Sequence, residues 1–241
     1  RYARVTGVQT CALPIYKISV QLNRKNEIKN YASSFAAGFT SGIAGETFVL
    51  LQNKKLNLNN IQQPAYRDAA VISGVQQVAK DFTKNTFRRY PFMTKLSVEN
   101  PLIFGAATGI PMWALTRIFA TPLQNSRKKD VKEPFKGLWK SITVDAGYYT
   151  IKNGLDEYFA SNVFPKILPK CPNFATQKIV EAALAGLVGG SSYVFAWPYK
   201  CTLTGQKLSE AAKLMVKNTP KVSIKKITYT LVKPKFSNLL K

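Results

Sequence analysis

Pro101–Leu123 constrains this chain more than any other stretch. It is a run of mostly apolar or small residues with one charge, Arg117. About twenty such residues are what a helix needs to cross the hydrocarbon core of a bilayer. Pro111 lies inside the run and predicts a kink, which membrane helices tolerate better than soluble ones. The run reaches Pro122 and a basic cluster, Arg127-Lys128-Lys129. Two other stretches share its character: Tyr31–Leu51, interrupted by Glu46, and Ile179–Tyr199, with Glu181 near its start and Trp197-Pro198 at its end. Each carries a glycine pair, Gly38/Gly42, Gly105/Gly109 and Gly186/Gly190. Residues spaced i, i+4 share a helix face, and glycines there let a neighbouring backbone approach closely. Glycine costs a helix in water about 1 kcal/mol relative to alanine. Three glycine-lined apolar stretches therefore favour membrane helices over buried helices of a soluble protein.

Amphipathic segments stand between the apolar ones. In Tyr66–Arg89, Ala70, Gly74, Val78 and Phe82 fall on one helical face, and Gln76, Gln77, Lys80 and Lys84 on the other. Trp139–Phe159 mixes aromatic residues with Lys140, Asp145, Lys152 and Asp156. In a membrane such polar faces turn to a water-filled cavity; in a soluble protein they face solvent. Pro165, Pro169 and Pro172 mark a turn-rich connector. Residues 16–30 read as a basic N-terminal segment and 208–241 as a basic C-terminal remainder, possessing too many lysines, with Pro234, to form a span alone.

The formal net charge is +23, from 35 Lys and Arg against 12 Asp and Glu, which suits an anionic partner. Histidine is absent, removing the usual general base and the commonest metal ligand. Cys11, Cys171 and Cys201 form no CxxC pair, so neither a zinc site nor a disulfide framework is expected. No Walker-type phosphate loop or nucleophile elbow occurs, and Gly186–Gly190 reads as helix packing rather than a phosphate cradle. An enzyme, a metal and a cofactor are thus not expected. The run Val5–Ile15 resembles a translated sequencing-library adapter, so residues 1–15 are read as an artefactual leader and kept out of the fold reasoning.

The apolar stretches end at Leu50, Pro122 and Pro198, spaced 72 and 76 residues apart. A near-constant period points to a threefold internal repeat of helix pairs. In this respect the chain resembles the mitochondrial carrier family, whose signature, proline–any–acid–any–any–base, closes each odd-numbered helix. Pro122-Leu123-Gln124-Asn125-Ser126-Arg127 keeps the proline and base, with Gln124 in the acid place. Leu50-Leu51-Gln52-Asn53-Lys54-Lys55 keeps the base, Lys55, with Leu50 for proline and Gln52 for the acid. Pro198-Tyr199-Lys200-Cys201-Thr202-Leu203 keeps the proline, with Lys200 in the acid place. The family's even helices end in aromatic–acid–any–any–base; Asp81 and Lys84 match its acid and base, and Asp156 its acid.

The resemblance implies an all-α membrane fold of three transmembrane helix pairs over residues 31–207, with repeats at about 31–97, 98–173 and from about 174, the sixth helix being unrecognisable. It implies a divergent inner-membrane carrier that moves a small anionic metabolite or nucleotide by alternating access. The expected matrix-side gate is Leu50, Gln52, Lys55, Pro122, Gln124, Arg127, Pro198 and Lys200. Without carboxylates at its acid places, that ring is expected not to close by ion pairing. The opposite gate is Asp81, Lys84 and Asp156, and the candidate cavity residues are Gln76, Gln77, Lys80, Arg117, Asp145 and Lys152. Expected partners are the lipid bilayer, cardiolipin included, an anionic solute, and a large inner-membrane complex if the protein is instead a non-transporting accessory subunit of a respiratory or ATP-synthase assembly. A third reading is a soluble nucleic-acid-binding protein, with aromatics interleaved among basics at Phe87-Arg88-Arg89-Tyr90. It is disfavoured because the charge is spread rather than striped.

Overall fold

The computed structural model describes residues 9–53, 64–128 and 131–240, with side chains described from Asn26 onward in the first helix. The described residues are helical, with turns and bends between helices and no strand. In chain order the helices are α1 (Gln9–Gln52), α2 (Pro64–Phe87), α3 (Pro91–Glu99), α4 (Pro101–Asn125), α5 (Leu138–Tyr158), α6 (Phe164–Ile167), α7 (Phe174–Phe195), α8 (Trp197–Thr204) and α9 (Leu208–Leu239).

Local chemistry sets several of these ends. Asn100 caps α4 by accepting from the Ile103 amide at 3.3 Å, and Pro101 takes the first turn, where a missing N–H costs nothing. Asn173 caps α7 in the same way, through the Thr176 amide at 2.8 Å. Gly205, at φ 69°, closes α8 in the left-handed conformation that glycine adopts without steric cost. A bend of 43° separates α7 from α8, next to Pro198. The expected proline break is therefore present there, whereas α1 runs unbroken through Leu50 to Gln52.

Long helices pack as antiparallel neighbours: α1 along α2, α4 along α5, and α7 along α9. Contacts of α2 with α4, α5 with α7, and α9 with α1 close these six into a ring. Each glycine pair lies in one of the tight seams. Gly38 and Gly42 meet Gly74 and Ala70 of α2, Gly105 and Gly109 meet the backbone of Asn153 and Tyr149 in α5, and Gly186 and Gly190 meet Thr219 and Ser223 of α9. A Cβ on Gly109 would stand 2.5 Å from the Tyr149 carbonyl oxygen, so only glycine admits this approach.

Buried polar side chains share the interior with Phe104, Met112, Trp113, Ile142 and Val188, and large apolar side chains also face outward. The interior holds Ser33, Ser34, Ser41, Thr108, Thr116 and Ser192, while Ile110, Ile118, Phe119, Ile179, Leu187 and Phe195 are exposed on the outside. Interior hydroxyls bond back to their own helices, as Thr116 does to the Met112 carbonyl at 2.9 Å and Ser192 to that of Val188 at 2.6 Å. Two helices are long and apolar enough to cross a membrane, Asn26–Gln52 within α1 and Pro101–Asn125; α7 with α8 makes a third if the bent pair is one span.

Two expectations are corrected. Residues 208–241 are not a basic remainder: Leu208–Leu239 form a helix that packs on α7 and α1. A sixth long helix is thus present. Its seven lysines hid it: four of them line the cavity and three are exposed, and together they lower the mean hydropathy of a segment whose Pro220 and Pro234 already read as breaks. The basic segment 16–30 likewise belongs to α1.

Candidate functional site

The centre of the ring holds a cavity of about 510 Å³. Helix α2 contributes Gln76, Gln77, Lys80 and Lys84 to its wall, and α5 contributes Tyr148, Tyr149, Lys152 and Asp156. Helix α9 adds Lys221, Lys225, Lys226 and Lys233. These α9 lysines recur on one helical face, with Tyr229 between them, at the three- and four-residue steps that bring side chains into register. That spacing was the signal for them in the sequence. Of the expected cavity residues, Gln76, Gln77, Lys80 and Lys152 meet here. Arg117 lies apart, donating to the Gln124 side chain at 3.1 Å and stacking on Trp113 with its guanidinium carbon 5.4 Å from the ring centroid. Asp145 is likewise elsewhere, in the ion pair described below.

Tyr148, Tyr149 and Tyr193 line one side of the cavity and are held by ring contacts. Trp113 and Tyr149 stack with centroids 3.9 Å apart, and Tyr148 meets Tyr193 at 4.3 Å. The Tyr148 hydroxyl donates to the Gly189 carbonyl at 3.2 Å, which joins α5 to α7.

At the end where α2, α5 and α9 finish, charged pairs cross between helices. Lys84 pairs with Glu157, joining α2 to α5. Lys80 reaches Asp156 at 3.0 Å, a carboxylate it shares with Lys152 at 2.7 Å. Lys233 of α9 lies 3.1 Å from Asp81, which also accepts from the Ser34 hydroxyl of α1 at 2.5 Å. The three residues expected here, Asp81, Lys84 and Asp156, are therefore all engaged, and the partner of Lys84 is Glu157 rather than Asp156. Glu157 and Lys233 were not singled out in the sequence.

The other end, where α2, α5 and α9 begin, carries three more cross-helix pairs. Arg127, just past α4, lies 2.6 Å from Asp68 of α2. Lys200 of α8 lies 2.7 Å from Asp145 of α5. Lys221 of α9 lies 2.6 Å from Glu46 of α1. This corrects the expectation that this end lacks carboxylates. The acid places hold glutamine or lysine, but carboxylates reach the bases from neighbouring helices. Helix α8 is fixed for this task by the Tyr199 hydroxyl, which donates to the Thr143 carbonyl of α5 at 2.7 Å. Of the remaining residues expected at this gate, Gln52 is exposed, Leu50 and Pro122 are half-buried, Pro198 is exposed at the start of α8, and Lys55 lies outside the described residues.

A second cavity of about 730 Å³ opens beside Glu46, Asp68, Gln124 and Arg127. It shares Ser73, Gln76 and Lys225 with the central one. The two therefore adjoin at a neck formed by those side chains. Chemically the arrangement offers an anion a cavity lined by seven lysines, with cross-helix ion pairs on either side of it. Among the described residues no group of three or more Cys, Asp or Glu side chains is placed to hold a metal.

No protein-family model matches the chain, and no curated protein or solved structure is significantly similar to it.

Proposed function

We propose that this protein is a divergent carrier of the mitochondrial type, which moves a small anionic metabolite or nucleotide across the inner membrane by alternating access. The observation that carries the reading is a lysine-lined cavity within a ring of six helices, five of which line it, with inter-helix ion pairs toward both of its ends. In this reading α1 with α2, α4 with α5, and α7 with α9 are three repeats of one helix pair, and all six helices span. The glycine pair in each seam supports the repeat. So does α9, where Tyr229 and Lys233 stand as the aromatic and base of the even-helix motif, with Thr230 in the acid place.

Transport needs the two ends to open in turn. Each pair is charge-assisted, stronger than a neutral hydrogen bond yet exchangeable where water enters. An anion in the cavity competes for the lysines that hold one end, and the energy of those contacts offsets the cost of parting the helices. The placement of the lysines favours a small solute over a nucleic acid. Seven of them line the cavity, where the phosphates of a duplex or a folded RNA would not reach, while the exposed ones, such as Lys95, Lys132 and Lys166, are spread among separate elements rather than gathered in one stripe.

The test is exchange in liposomes. Purified full-length protein is reconstituted and uptake of labelled phosphate, dicarboxylates and nucleotides is followed against internal anion. Saturable exchange of one of them is expected. Absence of exchange for every anion tested rejects the proposal.

A further inference from the structure

The neck where the two cavities adjoin holds a lysine without a carboxylate partner among the described residues. Each of the other lysines around the central cavity has a carboxylate within 4.0 Å: Asp156 for Lys80 and Lys152, Glu157 for Lys84, Glu46 for Lys221, Glu181 for Lys226, and Asp81 for Lys233. Lys225 is the exception among the described residues. It lines both cavities, together with Ser73 and Gln76. Its position is built by the backbone opposite. The methylenes of Lys225 lie over Gly45 of α1, where a Cβ would come within 2.6 Å of Lys225 Cε. A glycine at 45 thus gives the lysine its course across the helix and delivers its ammonium to the neck.

Seven lysines line the central cavity, and the carboxylates paired with them number five. Two positive charges are left over: that of Lys225, and one at Asp156, which faces two lysines. An uncompensated charge in a confined site is costly, and a bound counter-charge removes that cost. Ser73 and Gln76 add a hydroxyl and a carboxamide, groups that hydrogen-bond the oxygens of an oxyanion.

We propose that Lys225, with Ser73 and Gln76, forms the anion-binding point of the neck, and that its ligand is a compact oxyanion of charge −2, a hydrogen phosphate or a dicarboxylate. This deepens the carrier reading and rests on it for the ligand's passage, though not for its binding.

The experiment measures thermal unfolding of the full chain in mild detergent, titrated with phosphate, succinate or acetate at ionic strength held constant with chloride. Phosphate or succinate is expected to raise the unfolding midpoint of the unaltered protein saturably; which of the two does so identifies the dianion, and acetate is expected to do neither. Lys225→Gln is expected to weaken the apparent Kd at least tenfold while leaving the ligand-free midpoint unchanged or higher, since it removes an unpaired charge. Lys225→Arg is expected to retain most of the binding. Gly45→Ala, which keeps every charge but crowds the Lys225 stem, is expected to weaken it, and Lys95→Gln, on the exposed face of α3 with its side chain 71% accessible, to leave it unchanged. Wild-type affinity in Lys225→Gln overturns the proposal, as does equal stabilisation by acetate or no stabilisation by either dianion. Liposome exchange by the unaltered protein is read separately. Binding lost in Lys225→Gln without exchange in the unaltered protein keeps the site and rejects the carrier; exchange that survives Lys225→Gln with unaltered affinity keeps the carrier and rejects the site.

Discussion

Arg127 Nη2 lies 2.6 Å from Asp68 Oδ1, and this contact joins the end of α4 to the start of α2. The Asp68 side chain is 9% exposed and that of Arg127 36%. Removing Arg127 leaves the largely desolvated Asp68 carboxylate behind, and removing Asp68 leaves the guanidinium without its counter-charge. Asp68→Asn or Arg127→Gln is expected to destabilise the protein by about 2 kcal/mol, the worth of a hydrogen bond to a charged group. The reversed pair, Arg127→Asp with Asp68→Arg, should recover part of that loss. Chemical or thermal unfolding of the four variants in one detergent measures the coupling, and additive losses would show that the contact is not formed.

The seam between α4 and α5 sets a different expectation. A Cβ on Gly109 meets backbone, the Tyr149 carbonyl oxygen and the Thr150 Cα, and these yield only if the helices part. Gly109→Ala should cost about 1–3 kcal/mol through overpacking. Gly45→Ala meets only the flexible Lys225 side chain and should cost less. The ranking of the two unfolding midpoints tests the packing directly.

Membrane insertion can be checked on the outer face of α4. Ile110 is 46% exposed near the helix centre, and Leu102 is 42% exposed at its start. Ile110→Lys places a charge where lipid is expected, at a cost of about 2.5–3.5 kcal/mol on insertion scales. Leu102→Lys should cost less, because its long side chain reaches the interface. Glycosylation mapping of the full chain in microsomes reads both. Equal tolerance of the two lysines would argue that α4 does not span.

At the end held by Lys84–Glu157 and Lys233–Asp81, loss of the bridges should favour opening. Asp81→Asn combined with Glu157→Gln is expected to raise the labelling rate of a cysteine at Gln77 from that side. An unchanged rate would mean that these pairs hold no gate.

How much of this was legible in the sequence depends on whether a feature is local. Gly105 and Gly109 announce a close helix contact because their spacing puts both on one face, and the contact is there. Gln76, Gln77, Lys80 and Lys152 could be assigned to a cavity from the amphipathic pattern of their segments, and all four line one. Helix α9 was not legible. It exposes Val216, Leu231 and Leu239, but its seven lysines, four of them in the cavity wall, make the average polar, and a hydropathy reading follows the average rather than the face. The partners of Arg127 and Lys200 were also hidden. Reading the acid place beside each base leads to Gln124 and to Lys200 itself, whereas Lys200 finds Asp145 at a separation of 55 residues. Spacing within one helix carries no information about a carboxylate supplied by another.

A carrier's chamber opens in turn to both sides of a membrane, and Gln76, which lines both cavities, is the place to measure this. Cys11, Cys171 and Cys201 are replaced by serine, Gln76 by cysteine, and the protein is reconstituted in liposomes of known orientation. A membrane-impermeant thiol reagent is then added outside or trapped inside. Labelling from both sides, slowed by a transported anion, is the expected result. Labelling from neither side, or from one side alone under every anion condition, would contradict it.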